Sequence, residues 1–392
     1  ALLATASQNA LAQGQPVSAP EATPLPTPVP AAQDVPYPGT IAIDIDATDI
    51  TRALYRVTQT IPVERGTKEL ILQLPAWLPG NHAPRGPINL ITDVHFEVNG
   101  RPVAWTRDPV EVFAYRIHLP DGAREVTARF VHTSPLQSNE GRITVTQEML
   151  NLQWEKMTLY PAGHYVRQIK VTPTVTFPEG WTVFTALDGQ RKAAGRGNRV
   201  TWDTTNYEVL VDSPVFAGEH ARSWTIGDQV ELNAVADEAS QLEIKPENMD
   251  TYRRLIDEAV ALFGSRPFDH YELLLGLTDK LGGIGLEHHR SSENTYEPNT
   301  FVDWDTMGHD RNVISHELVH SWNGKYRRPE GMWTPDYREP MRNNLLWMYE
   351  GQTQFWGYVL AARSGMQPKE NVLGALATSA GVMANPRINC VR

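Results

Sequence analysis

Residues 40–45 alternate strictly, with Ile41, Ile43 and Ile45 on one side and Thr40, Ala42 and Asp44 on the other. That period of two predicts a half-buried strand. Residues 54–58 are rich in strand formers but alternate imperfectly, and residues 94–98 and 102–105 flank Asn99-Gly100, the dipeptide best suited to a two-residue hairpin turn. Strand-like runs continue at 111–118, 125–132, 168–177 and 199–202. Many short strands separated by turn residues predict an all-β sandwich or saddle-shaped sheet over residues 40–217. The period then changes. Residues 246–263 place Leu255, Ile256, Ala259, Val260 and Phe263 on one helix face, and Gly264 supplies the stop. Strands are expected within 224–236 and at 271–277, followed by two further helices. The fold class is therefore α+β, an N-terminal β domain followed by a mixed domain over 218–392, with the boundary near 216–219.

Ahead of the first strand the composition is different. Eight of the 29 prolines lie between Gly14 and Gly39, so this stretch reads as an extended linker with no core of its own. Residues 1–13 end in Ala10-Leu11-Ala12, the small-residue pattern of a secretory cleavage site, and read as the remnant of a signal peptide. Residues 1–39 are thus leader remnant and linker, and the expected location is periplasmic or secreted. Acidic residues outnumber basic ones by 46 to 35, a net charge of −11, which argues against a nucleic-acid partner. No apolar run is long enough to span a membrane. Cys390 is the only cysteine, which excludes a disulfide framework and a Cys-rich metal site. Twelve histidines remain as soft ligands.

His316-Glu317-Leu318-Val319-His320 is an H-E-x-x-H motif. Residues four apart share a helix face, so both imidazoles can reach one metal ion while Glu317 stands beside it. Zinc suits two imidazoles and a carboxylate and leaves a fourth position to water. Val313, Ile314, Leu318, Val319 and Trp322 make the helix apolar on several sides, and two histidines and a glutamate in a buried helix are costly without a partner. Two glutamates compete to be the third ligand. Glu339 precedes Pro340, which disfavours helix at the residue before it. Glu350 falls within a predicted helix over 344–363, with Asn343 or Asn344 as cap, and a rigid helix is the better support for a ligand. Glu350 is the choice.

His316 to Trp322 with Asn323 and Arg328-Pro329, then Leu346-Trp347-x-x-Glu350-Gly351-x-Thr353, resemble the glycyl aminopeptidase family of gluzincin zinc peptidases. Three further stretches match, Leu74-Pro75-Ala76-Trp77-Leu78-Pro79-Gly80, Leu210-Val211-Asp212-Ser213-Pro214-Val215 and Gly282-Gly283-Ile284-Gly285-Leu286-Glu287-His288. The resemblance covers about residues 40–392. It implies a thermolysin-like catalytic domain after the β domain, usually followed by a PDZ domain, and one zinc ion on His316, His320 and Glu350 with Glu317 as general base. Gly285-Leu286-Glu287-His288 partially resembles the G-x-M-E-N box of related aminopeptidases, which implies that Glu287, with Gly285 and Leu286, binds the free α-amine of a peptide substrate. Gly282 and Gly283 are expected to let substrate approach the backbone closely. His288, His289 and His309 are not expected to bind zinc. Related gluzincins place a transition-state tyrosine well downstream of the third ligand, so the resemblance implies a catalytic domain that is C-terminally incomplete here, with neither Tyr349 nor Tyr326 marked for that role. The expected activity is removal of small N-terminal residues, Gly or Ala, from peptides. The alternatives are a thermolysin-like endopeptidase and a non-catalytic peptide-binding protein on the same fold.

Overall fold

The structure, a computed structural model, describes residues 24–193, 197–305 and 309–384. The leader-like residues 1–13, the start of the Pro-rich stretch, the His309 side chain and Cys390 lie outside the described residues.

The first strand runs Thr40–Asp49 and buries Ile41, Ile43, Ile45 and Ala47. Its antiparallel neighbour is Leu54–Pro62, which turns Tyr55, Val57, Gln59 and Ile61 inward. Gln59 follows the imperfect run and points inward with its apolar residues. Its amide donates to the Leu159 carbonyl at 2.9 Å and accepts the Leu159 N–H at 2.7 Å, so a buried polar group has both ends satisfied. At Asn99 and Gly100 φ is 51° and 72°, the left-handed pair that closes the hairpin between Ile91–Val98 and Arg101–Pro102. The strand expected at 111–118 begins only at Ala114, because the Asp108 carboxylate accepts the Val110 and Glu111 N–H groups, each at 2.8 Å, and turns the chain there.

The strand from Ala114 belongs to a four-stranded sheet and the others to a nine-stranded one, with a three-stranded sheet beside them. One apolar core joins them, from Tyr37 to Ala217. A short helix α1 (Tyr207–Val211), capped by the Asn206 side chain on the Val209 N–H, delivers Asp212. The Pro-rich stretch departs from its reading as a free linker. Val29 and Tyr37 are buried, Arg116 donates to the Thr27 carbonyl and Tyr37 donates to the Pro62 carbonyl. A segment without a core of its own can still lie against another's.

Five strands, His220–Gly227, Val230–Ala236, Tyr271–Leu277, Gly285–Glu287 and Ser291–Tyr296, form the second half's mixed sheet. Helix α2 (Pro246–Phe263) ends at Gly264 as its periodicity requires. Helices α3 (Asn312–Val319), α4 (Thr353–Ser364) and α5 (Lys369–Met383) follow. A second core gathers Leu232, Tyr252, Leu273, Ile314, Leu318 and Leu360, and a smaller cluster of Met149, Phe216, Val235, Leu274 and Leu281 joins the two halves. Gly282 lies at this seam. Arg142 donates to its carbonyl at 3.0 Å, and a Cβ there would stand 2.5 Å from Arg142 Cγ. Gly282 therefore accommodates the other domain rather than substrate. Among the described residues no helix is long and apolar enough to cross a membrane.

Candidate active site

Helix α3 is anchored by Ile314, Leu318 and Val319 in the second core and by Ser315, whose hydroxyl donates to the Gly357 carbonyl of α4 at 2.9 Å. It stops at His320. Asn323 and Gly324 leave helical geometry (φ −116° and 144°), and the freed Asn323 carbonyl accepts His320 Nδ1–H at 3.0 Å. That bond orients the ring and leaves Nε2 facing Glu350. The Asn323 amide also donates to the Met348 carbonyl and to Thr353 Oγ1, each at 3.0 Å, tying this turn to the one that carries Glu350.

Glu350 is not on a regular helix. The stretch predicted as one helix over 344–363 begins as a 3₁₀ turn, Asn343–Leu345, and widens into a π turn, Trp347–Gln352, before α4. Such wide turns recur at functional sites. Asn343 does not cap it, since its amide donates to the His82 carbonyl at 2.8 Å. Glu350 Oε2 stands 3.2 Å from His316 Nε2 and 3.5 Å from His320 Nε2, and the two Nε2 atoms are 3.1 Å apart. Tetrahedral zinc with bonds of about 2.1 Å needs donor atoms about 3.4 Å apart, so this triangle fits the ion. Glu339 sits in a turn where its N–H donates to Asp336 Oδ1 at 2.9 Å.

Glu317 is 6% exposed, and its ligand-capable oxygen lies within 4.8 Å of those of both histidines. The strand Gly285–Glu287 runs against it so closely that a Cβ on Gly285 would lie 2.6 Å from Glu317 Oε1. Leu286 and Glu287 are buried behind it. Burial, with the Glu287 and Glu350 charges, raises the Glu317 carboxyl well above its usual range. Burial would also raise Glu350, but hydrogen bonds with His316, His320 and His82 hold it far below. Glu287 resists the same burial through the His320 and Lys325 charges and the Tyr349 hydroxyl, which donates to its Oε1. Three carboxylates thus converge on two imidazoles, a donor set that would favour a bound dication.

Several neighbours come from the matched stretches or lie close to them. Tyr349 lies against His320 with centroids 4.7 Å apart. His82, two residues after the Leu74–Gly80 stretch, meets Glu350 Oε1 at 2.6 Å. Gly80, with φ 71°, sits where a Cβ would be 2.3 Å from Leu286 Cδ1 and 2.9 Å from Glu287 Oε2. The Tyr337 carbonyl holds that loop by accepting the Ala76 and Trp77 N–H groups at 3.0 and 2.8 Å. Asp212 accepts from Lys325 at 2.9 Å, from His288 at 3.1 Å and from the His289 N–H at 2.7 Å. Its burial favours the neutral acid, yet the Lys325, His289 and His288 charges and hydrogen bonds hold it well below the usual range. His288 bridges on to Glu293 at 3.1 Å. Neither His288 nor His289 is paired with the metal-type donors; both serve this buried network.

Residues 42–219 match the N-terminal domain of peptidase M61, and residues 309–387 match the M61 glycyl aminopeptidase domain. The chain belongs to the M61 glycyl aminopeptidase family. This M61 chain shares its fold with an aminopeptidase N family protein from Idiomarina loihiensis, at TM-score 0.70 and 21% identity over 85% of the chain. It is similar also to an M1 zinc metallopeptidase from Deinococcus radiodurans, at TM-score 0.50 and 16% identity over 90% of the chain. The chain spans 56% of the first protein's length and 75% of the second's. No curated protein gives a significant match.

Proposed function

We propose that this chain is a zinc-dependent aminopeptidase that removes small N-terminal residues, Gly or Ala, from peptides with a free α-amine. The observation that carries the proposal is the triangle of His316 Nε2, His320 Nε2 and Glu350 Oε2, with Glu317 beside it and Glu287 behind. His316, His320 and Glu350 would hold one zinc ion, which would supply a water of pKa about 7 and a Lewis acid for the scissile carbonyl. Glu317 takes the proton of the attacking water and passes it to the departing amine. Burial, with the Glu287 and Glu350 charges, raises its pKa, and a bound dication would offset those charges and favour the ionised base. Glu287 pairs with the cationic terminus and so selects chain ends. A small pocket beside it is lined by Pro79, Gly80, His82, Lys325, Arg328, Met332, Met341 and Tyr349, and its size supports a small first residue. The leader-like N-terminus supports a location outside the cytoplasm, periplasmic or secreted.

A thermolysin-like endopeptidase has one observation in its favour, since Glu287 already accepts the Tyr349 hydroxyl and is 3% exposed. Zinc content and hydrolysis of Gly- and Ala-amide chromogenic substrates, free and N-acetylated, separate the readings. Cleavage of the free amines by a zinc-loaded chain is expected, with Glu317→Gln keeping zinc and losing about 10²–10⁴-fold in rate. Equal cleavage of acetylated substrates makes it an endopeptidase, and zinc binding without hydrolysis makes it a binding protein.

A further inference from the structure

His82 belongs to the β domain yet reaches the heart of the other half, and nothing in the proposed reaction gives it a task. We propose that His82 is a positioning residue for Glu350. It holds Oε1 so that Oε2 alone faces His316 and His320. The inference rests on reading those three residues as the zinc site.

A carboxylate on an exposed turn has two equivalent oxygens and a freely turning terminal bond. The Glu350 side chain is 36% exposed, so packing does not set its plane. The contact of 2.6 Å between His82 Nε2 and Oε1 does. An ionised carboxylate only accepts, so Nε2 carries the proton of this bond. Nδ1 is buried with no hydrogen-bond partner, so no second bond competes for that tautomer. The backbone of His82 is held in the left-handed region at φ 50°, a conformation that a residue with a side chain rarely adopts. Asn343 clamps its carbonyl at 2.8 Å, and its ring meets Tyr349 edge-on with centroids 5.0 Å apart. An unusual backbone and an unpartnered ring nitrogen both carry a cost, and the structure offsets it at Glu350. With Oε1 occupied, Glu350 is a one-oxygen ligand, and the metal site depends on the β domain being docked.

The test is zinc affinity of the whole chain, measured by competition with a chromophoric chelator. His82→Phe keeps a ring against Tyr349 but has no donor, and zinc should bind about 10–100-fold more weakly. His82→Gln places an amide N–H near the same point and should recover most of that loss. Thermal unfolding of the three metal-free proteins should coincide, which separates positioning of the ligand from support of the fold. Wild-type affinity in His82→Phe overturns the inference alone. Failure of His82→Gln to rescue overturns it too, because the imidazole lone pair rather than the N–H would then be what zinc needs. A wild-type chain that binds no zinc overturns the site reading, and this inference with it.

Discussion

Gly80 and Gly100 share one backbone conformation and differ in what surrounds them, which allows the domain contact at the site to be measured. Their φ values are 71° and 72°. A Cβ on Gly100 meets nothing within 4 Å, whereas one on Gly80 would lie 2.3 Å from Leu286 Cδ1 and 2.9 Å from Glu287 Oε2. Alanine in the left-handed region costs about 1–2 kcal/mol at either position. At Gly80 the new methyl is also more than about 1 Å inside normal carbon–carbon contact, and Leu286 is buried with little room to retreat. Overpacking of that kind adds about 1–3 kcal/mol. Gly80→Ala should therefore destabilise the protein by about 2–5 kcal/mol and Gly100→Ala by about 1–2 kcal/mol. Denaturant unfolding of both variants with a chelator present, compared at equal m-value, gives the difference directly. Displacing Glu287 should also lower the preference of Gly80→Ala for free over acetylated amides. Equal losses of stability would refute the reasoning, because the loop and the Gly285–Glu287 strand would then not be in firm contact.

Glu350→Ala should strip or greatly weaken zinc while Glu339→Ala retains it, read by metal content after dialysis; the reverse result would move the third ligand to Glu339. Asp212→Asn leaves Lys325 and His288 buried against a neutral amide and should cost about 3–5 kcal/mol in denaturant unfolding; a loss below about 1 kcal/mol would show the network to be solvent-relaxed. The same variant should change the pH dependence. Burial would lower the His288 pKa, but its bonds to Asp212 and Glu293 hold it at about 9 against 6.5. Its contribution is therefore full below pH 6.5 and lost as pH rises through 9, so wild-type stability should fall across that window and Asp212→Asn should fall less. Wild-type stability that rises there would contradict the assignment.

The elements whose cause lies between near neighbours were legible along the chain. Alternation over 40–45 marked the start of the strand Thr40–Asp49, the Asn99-Gly100 pair marked the hairpin, and helical spacing with a terminal glycine marked Pro246–Phe263 to the residue. The H-E-x-x-H spacing put two imidazoles on one helix face, and Pro340 argued for Glu350 over Glu339, the residue that the structure brings to the histidines. Where a tertiary contact outweighed the local pattern, the sequence misled. The prolines suggested a free linker where Val29 and Tyr37 find a core built by other strands. Gly282 makes room for Arg142, 140 residues away. His82 meets Glu350 across 268 residues, and Asp212 meets His288 across 76. Such pairs leave no periodic trace, because the spacing between partners is set by the course of the whole chain. Only the docking of the β domain on the second half decides which side chains close the site.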